Sequence, residues 1–340
     1  MSLRWGLLST ANINRALLDS GHGGIIAVAS RSAERAEAYA REHAIERAHG
    51  SYEALLADPD VDAIYNPLPN SMHVEWSIRA LEAGKHVLCE KPMSRHPADV
   101  DRAFDVAERE GRVLAEAFMY RHNPQIARAR ELVADGTIGP LRVIRACFSY
   151  AHPDPGDIRL LADLEGGGLM DVGCYCVSGA RTLAGAEPER VYAEQVLGGG
   201  GVDVRLVATL RFPGDVLAAI DCGLSYAAHD ELEAIGEDGS VFLDDPWHGR
   251  EPVVELRRPG AATERIEVPW ASSYALEMEN LEAAARGEVP PLLGRDDALA
   301  QARAIAALYR SADEGRPVDP ASETCPDDHD RKVRAPWPTT

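Results

Sequence analysis

Apolar residues along this chain fall into two successive rhythms. Up to about residue 120, short apolar runs ("LRWGLLS", "GIIAVAS", "VDAIYNPLP", "KHVLCEKP", "RVLAEAF") alternate with amphipathic stretches such as "SAERAEAYAREHA", "HVEWSIRALEAG" and "PADVDRAFDVAEREG". This alternation predicts a doubly wound parallel sheet with helices on both faces, because a parallel strand is reached only by a crossover that packs back on the sheet. After "RHNPQIARARELVADGTIG" the rhythm changes. "LRVIRACFSY", "ERVYAEQVL", "VDVRLVATLRF", "DVLAAIDCGLSY", "HDELEAIGEDGSVFLDD" and "PVVELRRP" follow one another through Pro-Gly, Asp-Gly and Gly-rich links. That succession predicts a second, α+β domain with a large, mostly antiparallel open sheet, closed by helices over "SYALEMENLEAAARG" and "GRDDALAQARAIAALYRSA". The expected division is 1–120, 121–315 and a Pro- and Asp-rich, loosely ordered tail over 316–340. In "VRLVATLRF" and "VLAAIDCGL" the alternation leaves an apolar set beyond the one facing helices, which predicts a subunit contact on that sheet.

The chain has 340 residues, 45% of them hydrophobic, more than one core of ordinary size accommodates. Its apolar runs fall well short of the roughly 20 residues that span a bilayer, and its first residues lack the layout of a signal peptide. No membrane partner is expected, and the cytoplasm is the expected compartment. The formal net charge of -20 excludes the basic surface that a nucleic-acid partner requires. The six cysteines show no C-x-x-C pair and no zinc-ligand spacing, which points to reduced thiols and no metal. "DDHD" near the end reads as a solvated charge run rather than a metal site.

Chemistry enters at four places. The first apolar run is followed by "STANIN", where a dinucleotide-binding turn usually carries glycines. Ser9, Ala11 and Asn14 stand there instead, small enough for a phosphate to approach the helix that follows, and the Ser9 or Thr10 hydroxyl could add a hydrogen bond. The second run ends in "ASRS" without an acid for the ribose hydroxyls; Ser30, Arg31 and Ser32 occupy that edge with Arg35 one turn on, an arrangement that suits a 2′-phosphate. "CEKP" sets Lys91 before a proline at the carboxyl edge of a strand, where ligands of doubly wound sheets bind, and an X-Pro bond admits a cis peptide. In "GGGLMDVGCY" three glycines open a helix on which Asp171 and Tyr175 are four apart and share a face, a candidate acid/base pair. Taken singly, each has a plainer reading: an N-cap, an exposed arginine, a surface lysine, a half-buried tyrosine.

Together with "YNPLPNSMHVEWSIRALEAGKHVLCEKP", "AEAFMYRHNPQ" and "GTIGPLR", these stretches make the chain resemble the glucose-fructose oxidoreductase/inositol dehydrogenase (Gfo/Idh/MocA) family over residues 1 to about 315. The branch of NADP-dependent D-xylose 1-dehydrogenases and dimeric dihydrodiol dehydrogenases is the most similar, and its loops tolerate the substituted glycines. The resemblance implies a Rossmann domain for NADP, with NAD possible, and a sugar-like substrate. It also implies a homo-oligomer, a dimer or tetramer, formed through the C-terminal sheet. It assigns Lys91 as the catalytic lysine, Tyr175 as the proton-transferring residue and Asp171 as its support. Cofactor contacts fall on Ser9, Thr10, Ala11, Asn12, Ile13, Ser30, Arg31, Arg35, Asn66, Pro67, Leu68, Asn70, His73, Glu90 and Lys91. Substrate contacts fall on Lys91, Tyr120, His122, Tyr175 and Tyr274. Inositol-type members carry histidine in place of Tyr175, and Asn123 departs from the Tyr-Arg-Phe-His-Pro of many relatives. A lysine ammonium near Tyr175 is expected to lower its pKa. The implied activity is hydride transfer to or from a hydroxyl-bearing carbon, as in an aldose 1-dehydrogenase. A nucleotide-binding sensor without turnover and a nicotinamide-dependent glycosidase are the other readings of the same scaffold.

Overall fold

The structure, a computed structural model, describes residues 2–151, 154 and 156–323. Its first strands and helices alternate along the chain: β1 (Trp5–Leu7), α1 (Asn14–Leu18), β2 (Ile25–Ala29), α2 (Ala33–Glu42), β3 (Arg47–His49), α3 (Tyr52–Leu56), β4 (Ala63–Asn66), α4 (His73–Glu82), β5 (His86–Glu90), α5 (Pro97–Arg109) and β6 (Leu114–Ala117). The strands form a six-stranded sheet in the order β3-β2-β1-β4-β5-β6, and every pairing is parallel. Order reverses between β1 and β4, which opens the crevice where ligands of this topology bind. The central strands are buried on both faces, so their apolar runs are continuous rather than alternating.

The chain continues through α6 (Pro124–Ala134), β7 (Leu141–Ala151), α7 (Cys174–Ala184), β8 (Arg190–Leu197), β9 (Asp203–Arg211), β10 (Leu217–Gly223), β11 (Ser225–Gly236), β12 (Ser240–Leu243), β13 (Val253–Arg257), β14 (Glu264–Glu267), α8 (Ser273–Ala285) and α9 (Arg295–Glu314). Among the described residues these strands form one eight-stranded sheet, β14-β13-β12-β11-β7-β10-β9-β8, antiparallel except where β7 and β10 run parallel. The core between this sheet and α6 and α7 takes Ile144, Ala146, Leu206, Leu210, Ile220 and Leu232 from the strands.

Three expectations are corrected. The closing helices are shared between the two layers: Met278 and Leu281 of α8 sit in the core against β1, β2 and β4, and Ala298 and Ala302 of α9 pack under the first sheet while Ile305 and Leu308 join the second core. Periodicity marks an apolar face but not the surface that covers it. Residues 316–323 are docked rather than loose, since Val318 exchanges both backbone hydrogen bonds with Val191 (2.8 and 2.9 Å) and is buried. Residues 324–340, with "DDHD" among them, lie outside the described residues. The uncovered face of the large sheet is mixed rather than apolar: exposed Val207 and Leu217 lie among Arg205, Thr209, Arg211 and Asp221.

Candidate active site

Lys91 follows β5 directly, and its backbone is fixed from several sides. The Lys91–Pro92 peptide is cis. The Glu90 carboxylate accepts the Tyr65 hydroxyl through one oxygen and the Lys91 N–H (3.2 Å) through the other. Buried Glu116 accepts the Met93 N–H at 2.7 Å. Opposite stands the helix of Asp171 and Tyr175, which begins as a π-turn over Leu169–Gly173 before continuing as α7. The glycines before it are buried and make room for a buried carboxylate. A Cβ on Gly167, whose φ is +127°, would lie 2.2 Å from Asp203 Oδ1. Asp203 Oδ2 accepts the Leu169 N–H at 2.7 Å, and Oδ1 accepts the Tyr309 hydroxyl at 2.8 Å. The glycine run thus anchors the helix of Asp171 and Tyr175 to β9 and α9.

Lys91 Nζ donates to the Asp171 carbonyl oxygen at 2.6 Å, lies 3.5 Å from the Asp171 carboxylate, and sits 4.8 Å from the Tyr175 ring centroid. Asp171 turns away from Tyr175. Its carboxylate accepts the Tyr150 hydroxyl (2.6 Å) and Arg159 Nε (3.1 Å). The expected support of Tyr175 by Asp171 is therefore indirect, through Lys91. Burial pushes the Asp171 carboxyl up, but Lys91 and Arg159 outweigh it and hold the group below its ordinary range. Burial also opposes the charge on Lys91, yet the neighbouring Cys174, Asp171 and Glu90 keep the ammonium above its usual value.

For Tyr175 the expected lowering is not found. Burial raises its phenol well above the ordinary value, and Tyr274 and Glu90 add to the rise. A lone ammonium about 5 Å away contributes about 3 kcal/mol at an effective dielectric of about 20, but the carboxylate beside the same Nζ cancels most of it. Tyr175 is thus held as a phenol, with no hydrogen-bond partner for its hydroxyl among the described residues. Phe118, Phe148, Tyr120 and Trp247 pack around its ring with centroids 5.4 to 5.8 Å away.

These groups face a cleft of about 280 Å³ between the carboxyl edge of the first sheet and the second domain. Ile13, Pro67, Leu68, Asn70, Glu90, Lys91, Tyr175 and Tyr274 line it. His73 also reaches the cleft wall, but its ring nitrogens face the carbonyl oxygens of Leu68 (2.7 Å) and Pro92 (3.0 Å), and burial lowers its pKa to about 4. It braces the Lys91–Pro92 turn. Asn66 is buried, with its amide on the His73 carbonyl and the Ser77 hydroxyl, and Asn70 donates to the Glu165 carbonyl. Tyr120 lies outside the cleft: it is buried behind Tyr175 with its hydroxyl on Ser178 (2.7 Å). His122 faces a different cavity with Arg121 and Arg130.

In the loop after β1, Ser9 Oγ accepts the Ala11 N–H (3.2 Å), and Thr10 and Asn12 belong to the same turn. The Asn14 amide donates to the Ser9 carbonyl at 2.7 Å and fills the space beneath the turn. Ser30 Oγ accepts the Ser32 N–H, and the Ser32 hydroxyl caps α2 at the Arg35 N–H. Arg31 and Arg35 are exposed, and neither pairs with a carboxylate among the described residues. Two exposed cations without counter-ions at this strand end fit a 2′-phosphate. Sequence reasoning missed Phe148, Tyr150, Arg159 and His248, which also line the cleft. Alternation along β7 places Phe148 and Tyr150 on the side of the core residues Ile144 and Ala146; the loops of Arg159 and His248 carry no such signal. Among the described residues, Asp230, Asp245 and His248 form one group that could hold a metal ion, and Cys147, His229 and Glu231 another.

A parallel dinucleotide-binding sheet, a second domain on a large open sheet, and a lysine facing a tyrosine in the cleft between them define a two-domain nicotinamide-dependent oxidoreductase. The chain belongs to the Gfo/Idh/MocA family: residues 6–118 match the oxidoreductase family's NAD-binding Rossmann fold, and residues 126–242 match the GFO/IDH/MocA C-terminal domain. It is 36% identical to a D-xylose 1-dehydrogenase (NADP(+)) of Haloferax volcanii, over 93% of this chain and 99% of that one. It is also 36% identical to an uncharacterized oxidoreductase of Rhizobium meliloti, over 92% and 98%. An aldose-aldose oxidoreductase from Caulobacter crescentus superposes with a TM-score of 0.86 at 29% identity, over 94% of this chain and 100% of that one. A 3-ketoreductase from Actinomadura kijaniata, solved with NADP and TDP-benzene, superposes with a TM-score of 0.84 at 32% identity, over 92% and 98%.

Proposed function

We propose that the protein is an NADP-dependent oxidoreductase that interconverts a hydroxyl-bearing carbon and a carbonyl of a sugar, as an aldose 1-dehydrogenase does. The observation that carries this reading is the facing pair Lys91 and Tyr175, set in the cleft at the strand edge. Arg31 and Arg35 support the choice of NADP. The nicotinamide supplies or accepts the hydride at C4. Tyr175 holds its proton at Oη and delivers it to the carbonyl oxygen in reduction, which leaves a phenolate; in oxidation the phenol first releases its proton to solvent, and the phenolate Oη then takes the hydroxyl proton of the substrate. Lys91 fixes the cleft side of Tyr175 and offers a charged donor to the reacting oxygen, while Asp171 keeps the ammonium in place.

Retention of both Lys91 and Tyr175 favours turnover over a sensor role. A homo-oligomer through the open sheet face is supported by exposed Val207 and Leu217. A reducing, cytoplasmic setting is supported by the five buried free cysteines among the described residues. No helix among the described residues is long and apolar enough to cross a membrane. A panel of aldoses and polyols with each cofactor, followed at the NADPH absorbance, tests the activity. Steady NADPH formation with at least one free sugar is expected. Formation of no reduced cofactor with any member of the panel overturns the reading.

A further inference from the structure

The loop "DDPWHGR" between β12 and β13 brings a histidine to the cleft that takes no part in the chemistry assigned to Lys91 and Tyr175. Its position is fixed by its neighbours. Trp247 is buried, donates Nε1–H to the Cys147 carbonyl (3.0 Å) and lies parallel to Phe148 at 6.0 Å. Gly249 has φ +58°, and a Cβ there would stand 2.2 Å from the Asn123 amide, so the chain turns tightly just after His248. Asp245 accepts the His248 N–H (3.3 Å) and the Arg250 N–H (2.9 Å), and its Oδ1 lies 3.1 Å from His248 Nδ1. Asp230 stands on the same edge of the ring at 3.7 Å.

A carboxylate only accepts, so Nδ1 carries the hydrogen, and Nε2 on the opposite edge is an acceptor when the ring is neutral and a donor when it is charged. Nε2 has no partner among the described residues, and His248 lines the cleft. Phe148 stands between the two ends of the cleft, 5.4 Å from Tyr175 and 5.7 Å from His248, nearly edge-on to both. The arrangement is an aromatic floor with a reacting hydroxyl group at one end and an oriented, unengaged imidazole at the other. A few fixed polar groups on an otherwise apolar wall are what give a small-molecule site its specificity.

Resting on the oxidoreductase reading above, we propose that His248, oriented by Asp245, is the specificity-determining residue of this cleft. It binds a hydroxyl of a free sugar on the side of the ring away from the carbon that reacts at Tyr175. The substrate class is thereby a polyhydroxylated monosaccharide, and sugars deoxygenated at that position are discriminated against. A site built to bond a hydroxyl rejects the analogue that lacks it far more strongly than an apolar wall does, because its own polar atom is left unpaired.

The test compares the parent with His248→Ala and His248→Gln, using the best aldose of the panel and its 3-deoxy and 4-deoxy analogues. For the parent, kcat/KM is expected to fall at least tenfold with one of the two analogues. In His248→Ala the KM for the full sugar rises at least tenfold, the penalty for that analogue disappears, and NADPH affinity measured by fluorescence titration stays within twofold. His248→Gln, which retains a hydrogen-bonding end, recovers part of the loss. An unchanged KM in His248→Ala, or a penalty that persists there, overturns the assignment of His248 while the sugar activity stands. A parent that turns over no sugar at all overturns the oxidoreductase reading, and this one with it.

Discussion

Lys91 Nζ and the Tyr175 ring centroid are 4.8 Å apart, one contributed by the strand end of the first domain and the other by the buried helix of the second. The ammonium is tied to the Asp171 carbonyl and carboxylate, so its charge is local and its position defined. Removing either partner should affect the chemical step rather than cofactor binding. Lys91→Met and Tyr175→Phe are each expected to lower kcat at least a hundredfold, since acid/base assistance is typically worth about 10² to 10⁴. NADPH affinity should stay within a few fold. Stopped-flow turnover and fluorescence titration check both halves, and near-normal kcat in either variant removes that residue from the mechanism.

Cofactor choice follows from the end of β2, where Arg31 and Arg35 are exposed without a paired carboxylate among the described residues. A charge-assisted hydrogen bond contributes about 1.5 to 3 kcal/mol, or roughly ten- to a hundredfold in affinity. The diffuse negative charge of the chain is screened over about 8 Å at physiological salt and does not outweigh a local contact. The parent should prefer NADP to NAD by that factor in kcat/KM, and Arg31→Ala should lose most of it. Equal use of NAD by the parent would falsify the assignment.

Asp203 links pH to stability. Burial raises its pKa to about 6, whereas an unfolded aspartate titrates near 3.9. Between those values the native state holds the proton more tightly than the unfolded chain, so this group's contribution to stability is full below about pH 4 and is lost as pH rises towards 6 and beyond. The rise from near 3.9 to about 6 corresponds to about 3 kcal/mol. Urea unfolding from pH 4 to pH 7 should therefore show a decline in the parent that Asp203→Asn flattens. Parallel profiles would show that the carboxyl is not perturbed.

Gly167 is the most constrained glycine at the start of the helix that carries Asp171 and Tyr175. In Gly167→Ala the added Cβ meets the Asp203 carboxylate and a φ that side chains rarely adopt. Activity should fall at least tenfold with a drop in thermal midpoint, while Gly199→Ala, where a Cβ meets nothing within 4 Å, serves as the neutral control. A fully active, equally stable Gly167→Ala contradicts the packing argument.

The oligomer prediction concerns the uncovered sheet face. Light scattering at micromolar concentration should give at least a dimer, and Val207→Lys with Leu217→Lys should shift it towards monomer without unfolding. A parent that is monomeric throughout the range overturns the subunit contact.

The alternation of apolar runs with amphipathic stretches, and then of strand with strand, determined both sheets, because burial on one or two faces imposes its period directly on the residues. The short edge strands β3 ("RAH") and β14 ("ERIE") left no such trace: they are held by backbone pairing, which any side chain permits. Lys91, Asp171, Tyr175 and Arg31 were legible as candidates because glycines, prolines and strand ends mark where a fold presents chemistry. Their roles relative to one another were not. Only the packing of the second domain against the first turned Asp171 towards Lys91, Tyr150 and Arg159 instead of Tyr175, and set Tyr120 behind the cleft. The same packing placed His248 in the cleft. Spacing along one helix fixes a shared face, but the direction of a buried carboxylate is decided by whichever donors the rest of the chain brings within hydrogen-bond reach, and that is a property of the tertiary structure alone.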